Sequence, residues 1–553
     1  MYTPKTVPFR HQAECFELHK DAQFLAILAD MGTGKTKIAI DLVGYKYANG
    51  LTNRVLVVAP NDVHAQWADE QLPVHCGVSG SVFVYRAKTA KRHAEELNKF
   101  CISTSSELRI LCVNFEIFYT SKGLELAQKF FRSSDLPPTI IIDEASRIKN
   151  PEAKSVQQLF RLRREFINGF RYIITGTPAA KSPVDTWSLF EFLYPGYMGC
   201  SYQAFRKEHQ VLVTKRLTVK TRGTVRDVKV ETGLDLLTWQ KIQAYIKTVR
   251  QEDGVIPRMA IYNIAQRWGM SDSDAFYVAR SERYAPFKNV DQLQKKIAPA
   301  SFAVAKKDCL DLPEKVYELV KFTLSDEQKR IIQQMTKHSV STYEGETITL
   351  SSKAQLGLRV LQVCGGFFPH HDDVLEGEYH TKPISGPNRK LQYILDDLPE
   401  IGEQQFIIWA VFTAEIQMLF EAVSKVTTCG QIGGGDSKDD RRELIRAFKA
   451  GEVQGLVCHP QAAGYGLNLQ VAGVQYWFSR NYRTEARLQA EDRSHRAGIS
   501  VSPVYKDLIY DIPFERAVLT SNKEGKDIND TFVTADLNKL FSTEPEHQEQ
   551  TNE

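Results

Sequence analysis

A chain of 553 residues is too long for one hydrophobic core and fits two or three domains. With 42% hydrophobic and 25% charged residues it has the make-up of an ordinary soluble globular protein, and no apolar run approaches the length of a membrane span. The net charge of +3 is too small to argue for nucleic acid, so any such argument has to be local.

The first residues, MYTPKTVPFRHQ, lack the apolar core of a signal peptide, and the nine scattered cysteines include no C-x-x-C. This predicts reduced thiols in a cytoplasm, with neither a disulfide framework nor a zinc ribbon. Short apolar runs then alternate with helical patterns, which predicts parallel α/β layers. In the first part the runs are QFLAILA (23–29), RVLVVAP (54–60), LRILCVNF (108–115), TIIID (139–143) and RYIITGTP (171–178). Each ends in small or polar residues, at the carboxyl ends of strands where α/β proteins put ligands. The alternation lapses from about Tyr197 to Pro313. It resumes with QFIIWAVF (405–412), VQGLVCHP (453–460), VQYWFS (474–479) and SPVYKDLIY (502–510). The pattern predicts two α/β lobes with an insertion between them. The last stretch, STEPEHQEQTNE, is polar and acidic and is expected to be disordered.

Two motifs in the first lobe carry chemistry. ADMGTGKT fits G-x-x-x-x-G-K-[ST] from its second position onward, with Ala29 where the first glycine would stand. Gly32, Thr33 and Gly34 bring backbone amides to phosphate, Lys35 reaches the β/γ-phosphates, and the Thr36 hydroxyl holds Mg²⁺. An apolar strand precedes the loop and TKIAIDLVGYKYA continues as a helix, whose N-terminus suits phosphate. TIIIDEASRIKN then ends a buried strand in two adjacent carboxylates. Asp143 is placed to bind the magnesium, and Glu144 to orient or deprotonate the attacking water. A solvated turn would also end in two acids, but Lys35 and Thr36 upstream argue against it. The first lobe is predicted to hydrolyse ATP.

The order GTGKT, DEAS, TGTP resembles that of superfamily 2 helicases. ADMGTGKT, VLVVAPNDVHAQW, IIIDEASRIKN and ITGTPAAKSPVDTWSLFEFLYPG closely resemble the lobe-one motifs of the Swi/Snf family of ATPases. In the second lobe GGGDSKDDRRELIRAF, HPQAAGYGLNLQVAGVQYWFS and RLQAEDRSHRAG are similar to the family's later motifs. The resemblance covers about 9–196 and 301–515 and is nearest to compact bacterial or bacteriophage members. It implies two tandem RecA-like lobes and a role for Gln12 against adenine. It also implies that Arg493 and Arg496 act as arginine fingers on the nucleotide. Relatives in this family track along double-stranded DNA without separating its strands. Thr175, Thr177 and Asn468 are therefore expected to grip the phosphate backbone, although Thr175 and Thr177 would equally close a strand. Ser146 stands where the family usually has histidine, which puts the coupling of the second motif to the third in question. DRSHRAGIS lacks the family's final glutamine, and LRVLQVCGGFFPHHDD replaces its usual Cys-Asn-His-Pro string.

The insertion is less legible. Residues 204–230 concentrate Arg206, Lys207, Lys215, Arg216, Lys220, Arg222, Arg226 and Lys229 against Glu208 and Asp227, and alternate as a β-hairpin would. Such a hairpin fits a duplex backbone, and a solvated edge strand would look the same. IYNIAQRWGMSDSDAFYVARS (261–281) has helix-turn-helix spacing, but SDSD is poor company for phosphate, and a structural or protein-docking insertion fits better. Cys364, His370, His371 and Asp373 invite a metal, yet their spacing matches no zinc pattern. His459, before Pro460, reads as a strand-end residue rather than a catalyst. The expected organisation is an ATP-binding lobe (1–196), an insertion and linker with a basic hairpin and helices (197–312), a second lobe (313–520), and a C-terminal brace and tail (521–553). The expected function is an ATP- and Mg²⁺-dependent translocase on double-stranded DNA that displaces bound proteins or remodels junctions. Two rivals stand beside it: a strand-separating helicase, and an ATPase switch that docks a protein through residues 197–300.

Overall fold

The computed structural model describes residues 2–61, 63–87, 91–176, 183–221, 224–233, 287–350, 353–371, 379–433, 438–463, 469–480, 484–496, 499, 501–524 and 541–543. It divides into two compact units, Met1–Leu310 and Asp311–Glu553. Among the described residues no helix is long and apolar enough to cross a membrane.

In the first unit the strands are β1 (Phe24–Ala29), β2 (Arg54–Ala59), β3 (Gly80–Val84), β4 (Leu108–Asn114), β5 (Thr139–Asp143) and β6 (Phe170–Thr175). They are followed by β7 (Leu212–Thr221), β8 (Thr224–Gly233) and β9 (Ser301–Val304). Seven of them form one sheet in the order β3-β4-β2-β5-β6-β1-β9, and every neighbouring pair is parallel. Helices follow the strands as crossovers, so both faces are covered and the central strands are continuous apolar runs. Side chains alternate between two cores. Leu25, Ile27, Val55, Val57 and Ile141 join one, while Ala26, Leu28, Leu56, Val58, Ile140 and Ile142 join the other.

Residues 301–304, which fall in the stretch read from sequence as insertion and linker (197–312), form β9 and add a seventh strand beside β1. They are short and only partly buried, which hid them from an apolar-run reading. The basic hairpin is present as β7 and β8, paired antiparallel from Leu212↔Gly233 to Thr221↔Thr224. The 261–281 segment lies outside the described residues.

The second unit holds β10 (Val316–Phe322), β11 (Val340–Tyr343), β12 (Glu346–Thr349), β13 (Phe367–His371) and β14 (Tyr379–Pro383). After these come β15 (Phe406–Trp409), β16 (Cys429–Ile432), β17 (Gly455–Cys458), β18 (Val474–Trp477) and β19 (Val504–Tyr510). Its sheet runs β10-β19-β18-β15-β17-β16, again all parallel, with β11–β12 and β13–β14 as separate antiparallel ladders. Phe541, from the C-terminal stretch expected to brace this lobe, packs on Phe514 with ring centroids 4.6 Å apart. All nine cysteines are free. Among the described residues no group of His, Cys, Asp and Glu is arranged to hold a metal ion. Cys364 is instead buried in the core, and His370 pairs with Glu346 at 3.1 Å; Asp373 lies outside the described residues.

One buried acid makes this lobe sensitive to pH. Glu415, in the first turn of the helix Thr413–Val423, has no exposed surface. Its Oε2 accepts hydrogen bonds from Ser479 Oγ and the Phe412 N–H, whereas Oε1 has no partner. Burial pushes its carboxyl up to about 7, against the lowering pull of the Ser479 hydroxyl, Lys390 and nearby amides. The folded state therefore keeps a proton that the unfolded chain releases near pH ~4.3. That contribution to stability is complete below the unfolded value and fades as the pH rises to about 7. Glu415→Gln should flatten the profile. From pH 4.5 to 8 its unfolding free energy in urea should gain roughly 3 kcal/mol on the wild type. A constant difference across that range would contradict the assignment.

Candidate nucleotide-binding site

The loop after β1 is shaped by two left-handed glycines, Gly32 at φ 81° and Gly34 at φ 78°. Gly34 caps the helix α2 (Lys35–Ala48), so the chain enters that helix from a conformation that a β-carbon would strain. Thr33 Oγ1 and Lys35 Nζ both donate to the Asp30 carbonyl at 2.8 Å, closing the loop on itself. The helix α1 (Arg10–His19) supports the loop from behind. His11 Nε2 donates to the Thr33 carbonyl at 2.8 Å, and Gln12 Nε2 donates to the Thr33 and Gly34 carbonyls, each at 3.3 Å. The Phe9 N–H in turn donates to Gln12 Oε1 at 2.9 Å. Gln12, which the resemblance assigns to adenine, is only 2% exposed and spends its amide on the loop. His11 was not legible as a partner of this loop; its adjacency to Gln12 was the one signal.

Across the sheet, β6 lies between β1 and β5. Leu28 registers with Thr175 and Ile174 with Asp143, so the phosphate loop, the TGTP turn and the DEAS acids leave the sheet at one carboxyl edge. Two strand spacings, roughly 10 Å, separate the loop from the acids. Gly176 sits between them: a methyl built there would lie 3.4 Å from Lys35 Nζ. Asp143 Oδ1 accepts the Glu144 N–H at 2.9 Å, and Oδ2 accepts the Trp67 indole N–H at 2.8 Å. Glu144 has a left-handed backbone at φ 57°, ψ 56°, which is uncommon for a residue with a side chain. Ser146 Oγ donates to Glu144 Oε1 at 3.0 Å, so the residue that replaces the usual histidine touches the second acid.

These donors suit a hard divalent cation. The Thr36 hydroxyl and the Asp143 carboxylate are oxygen ligands of the kind Mg²⁺ takes, and the Trp67 and Glu144 N–H groups that donate to Asp143 are neutral.

Thr175, expected to grip the phosphate backbone or to close a strand, is the last residue of β6 and is buried. Thr177 and Asn468 lie outside the described residues.

In the second unit the helix Thr484–Ser494 ends in the predicted fingers. Arg493 and Arg496 are partly exposed, and Arg496 Nε donates to the Asp492 carbonyl at 2.8 Å. Their neighbours Arg480 and Arg487 are buried structural cations. Both pair with Asp507 on β19, at 2.8 and 2.6 Å, and Arg487 also pairs with Glu491 at 2.8 Å. Lys315 and Tyr317 complete the cluster on Glu491 at 2.9 and 2.7 Å. Burial would raise the Asp507 carboxyl, but the two guanidiniums override it and hold it far below the usual range. His459 is a strand-end residue: its Nδ1 accepts the Gln461 N–H at 3.2 Å.

Residues 11–364 match the SNF2-related domain family, and residues 389–498 match the helicase conserved C-terminal domain family. The chain belongs to the SNF2-related family. Among its relatives, YwqA of Bacillus subtilis (strain 168) is 25% identical over 501 residues, covering 87% of this chain and 43% of that protein. The ATP-dependent DNA helicase DDM1 of Arabidopsis thaliana is 22% identical over 503 residues, covering 87% of this chain and 55% of that protein. This SNF2-related chain thus spans about half the length of these curated relatives. The solved SWI2/SNF2 ATPase core of Sulfolobus solfataricus in complex with dsDNA is 19% identical, with 98% of each chain covered and a TM-score of 0.37.

Gly34 offers a direct check on the loop. An alanine methyl would lie 2.2 Å from Gln12 Nε2, in a left-handed backbone. Gly34→Ala should lower the unfolding free energy by about 2 kcal/mol. Adding Gln12→Ala should relieve the clash but not the backbone penalty, so the double variant should cost less than the sum of the two singles in urea titrations.

Proposed function

We propose that this SNF2-related protein hydrolyses ATP with Mg²⁺ and uses the cycle to translocate on double-stranded DNA, displacing bound proteins or remodelling junctions. The observation that carries the reading is the shared carboxyl edge, with Lys35, Gly176 and the Asp143–Glu144 pair on adjacent strand ends. Loop amides and Lys35 hold the β- and γ-phosphates, and Glu144 orients the attacking water. Thr36 and Asp143 hold the magnesium, which when bound neutralises charge developing on the phosphates. Arg493 and Arg496 supply the cations of the arginine-finger role, worth roughly 10³–10⁵ in rate. Gln12 keeps its adenine-facing role in this proposal on the family resemblance alone, since its amide braces the loop.

Duplex DNA is favoured as the track on two grounds. A relative is named as an ATP-dependent DNA helicase. The hairpin segment 212–233 also carries six cations against two carboxylates, a local charge of +4 in a chain whose total is +3. Such a segment gains affinity for a phosphate backbone by counterion release. Thr177 and Asn468 are candidates for backbone hydrogen bonds.

Steady-state ATP hydrolysis should be measured with no nucleic acid, single-stranded DNA, duplex DNA and RNA. Duplex should stimulate most, and Lys35→Ala and Glu144→Gln should each lower the stimulated rate at least about a hundredfold. The protein should then displace the third strand of a triplex while leaving a forked duplex paired. Preference for single strands or RNA would favour the strand-separating helicase. A rate indifferent to nucleic acid would favour the switch that docks a protein through residues 197–300.

A further inference from the structure

Trp67 lies 76 positions before Asp143 in the sequence, yet its indole N–H reaches the Asp143 carboxylate at 2.8 Å. The side chain is 1% exposed and belongs to the core cluster that also holds Val57, Ala59 and Ile141. A buried indole N–H must find an acceptor, and the one it finds is the acid predicted to hold magnesium. The helical stretch that carries it follows β2, the strand beside β5. That stretch contains a wide turn over Trp67–Gln71, in which the Leu72 N–H reaches back to the Trp67 carbonyl. Insertions of this kind re-aim side chains and cluster at functional sites.

We propose that Trp67 is a positioning residue for the metal: its N–H fixes the orientation of the Asp143 carboxylate toward the cation held with the nucleotide. This rests on the ATP reading given above. The choice of donor has a physical logic. A lysine or arginine would also hold the carboxylate, but it would bring a positive charge that competes with Mg²⁺. An indole gives one directional hydrogen bond to an ionised acceptor and leaves the charge intact. A carboxylate oxygen accepts more than one bond, so taking the indole does not bar a second ligand. The Glu144 N–H donates to Oδ1 while the indole donates to Oδ2, so both oxygens are held. The carboxylate is thus set in rotation as well as in place. Partners of metal-binding carboxylates typically contribute 10–100-fold to metal affinity or activity.

The test is Trp67→Phe, which keeps an aromatic ring and removes the N–H. Binding of a fluorescent ATP analogue is measured with Mg²⁺ and with EDTA, beside the Mg²⁺ concentration that half-saturates hydrolysis. The variant should need about tenfold more Mg²⁺ and should lose affinity only in the presence of Mg²⁺. In an Asp143→Asn background the same substitution should have no further effect on Mg²⁺ dependence, because the group it acts through is gone. A structural role alone would lower the thermal midpoint and shift nucleotide affinity equally with Mg²⁺ and EDTA, and that result overturns the proposal. So does an equal loss in both backgrounds. If the wild type binds nucleotide no better with Mg²⁺ than with EDTA, the ATP–magnesium reading itself fails and takes this inference with it.

Discussion

The hydrogen-bond ladder β5–β6–β1 is the constraint on which the lobe-one site depends. Parallel strands end together, so β1 finishes at one edge with β5 and β6, which lie more than a hundred residues further along the chain. A slip of one residue in β6 would turn its whole row of side chains over and exchange the two cores. Gly176, at the end of β6, lies close to the loop: a β-carbon there would touch the Lys35 amine, the Met31 side chain and the Ala29 carbonyl at ordinary contact distance. The helix α1 then holds the loop's outer carbonyls, so the loop is shaped by protein groups on both sides.

The second lobe uses charge differently. Its motif helix is tied to β19 by the buried Arg487–Asp507 pair, while Glu491 holds Arg487 from within the helix and Arg480, just after β18, meets the same aspartate. Such pairs add little net stability compared with apolar packing, because desolvation offsets the attraction. They do demand one geometry, since a lost partner leaves an uncompensated buried charge. The result divides four arginines of similar sequence context into two kinds. Arg480 and Arg487 are buried on Asp507, Arg487 from the helix and Arg480 from the segment before it, whereas Arg493 and Arg496 lie at and just past the helix end with partial exposure.

The central strands were legible because both of their faces are buried. QFLAILA, RVLVVAP, LRILCVNF, TIIID and RYIITGTP became β1, β2, β4, β5 and β6, and the four lobe-two runs became β15, β17, β18 and β19. The strands that were missed are at edges or are short. β10 is mostly exposed along VYELVKF, β3 is partly exposed, and β16 and β9 have four residues each. Lys35, Thr36, Asp143 and Glu144 could be singled out as candidates because phosphate and magnesium chemistry needs those groups in that local order. Trp67 on Asp143, His11 on Thr33 and Ser146 on Glu144 were not assigned. Each is a hydrogen bond set by where elements come to rest, and spacing along the chain carries no record of it.

The left-handed backbone at Glu144 sets folding against chemistry at a single residue. A glycine would take up that conformation with no steric penalty, whereas a residue with a β-carbon gives up roughly 1 kcal/mol. The carboxylate is therefore held where local conformational preference argues against it. Mutational drift judged by stability alone would tend to erase this acid first, and copies of the gene freed from the need to turn over ATP would be expected to lose it before they lose the surrounding core.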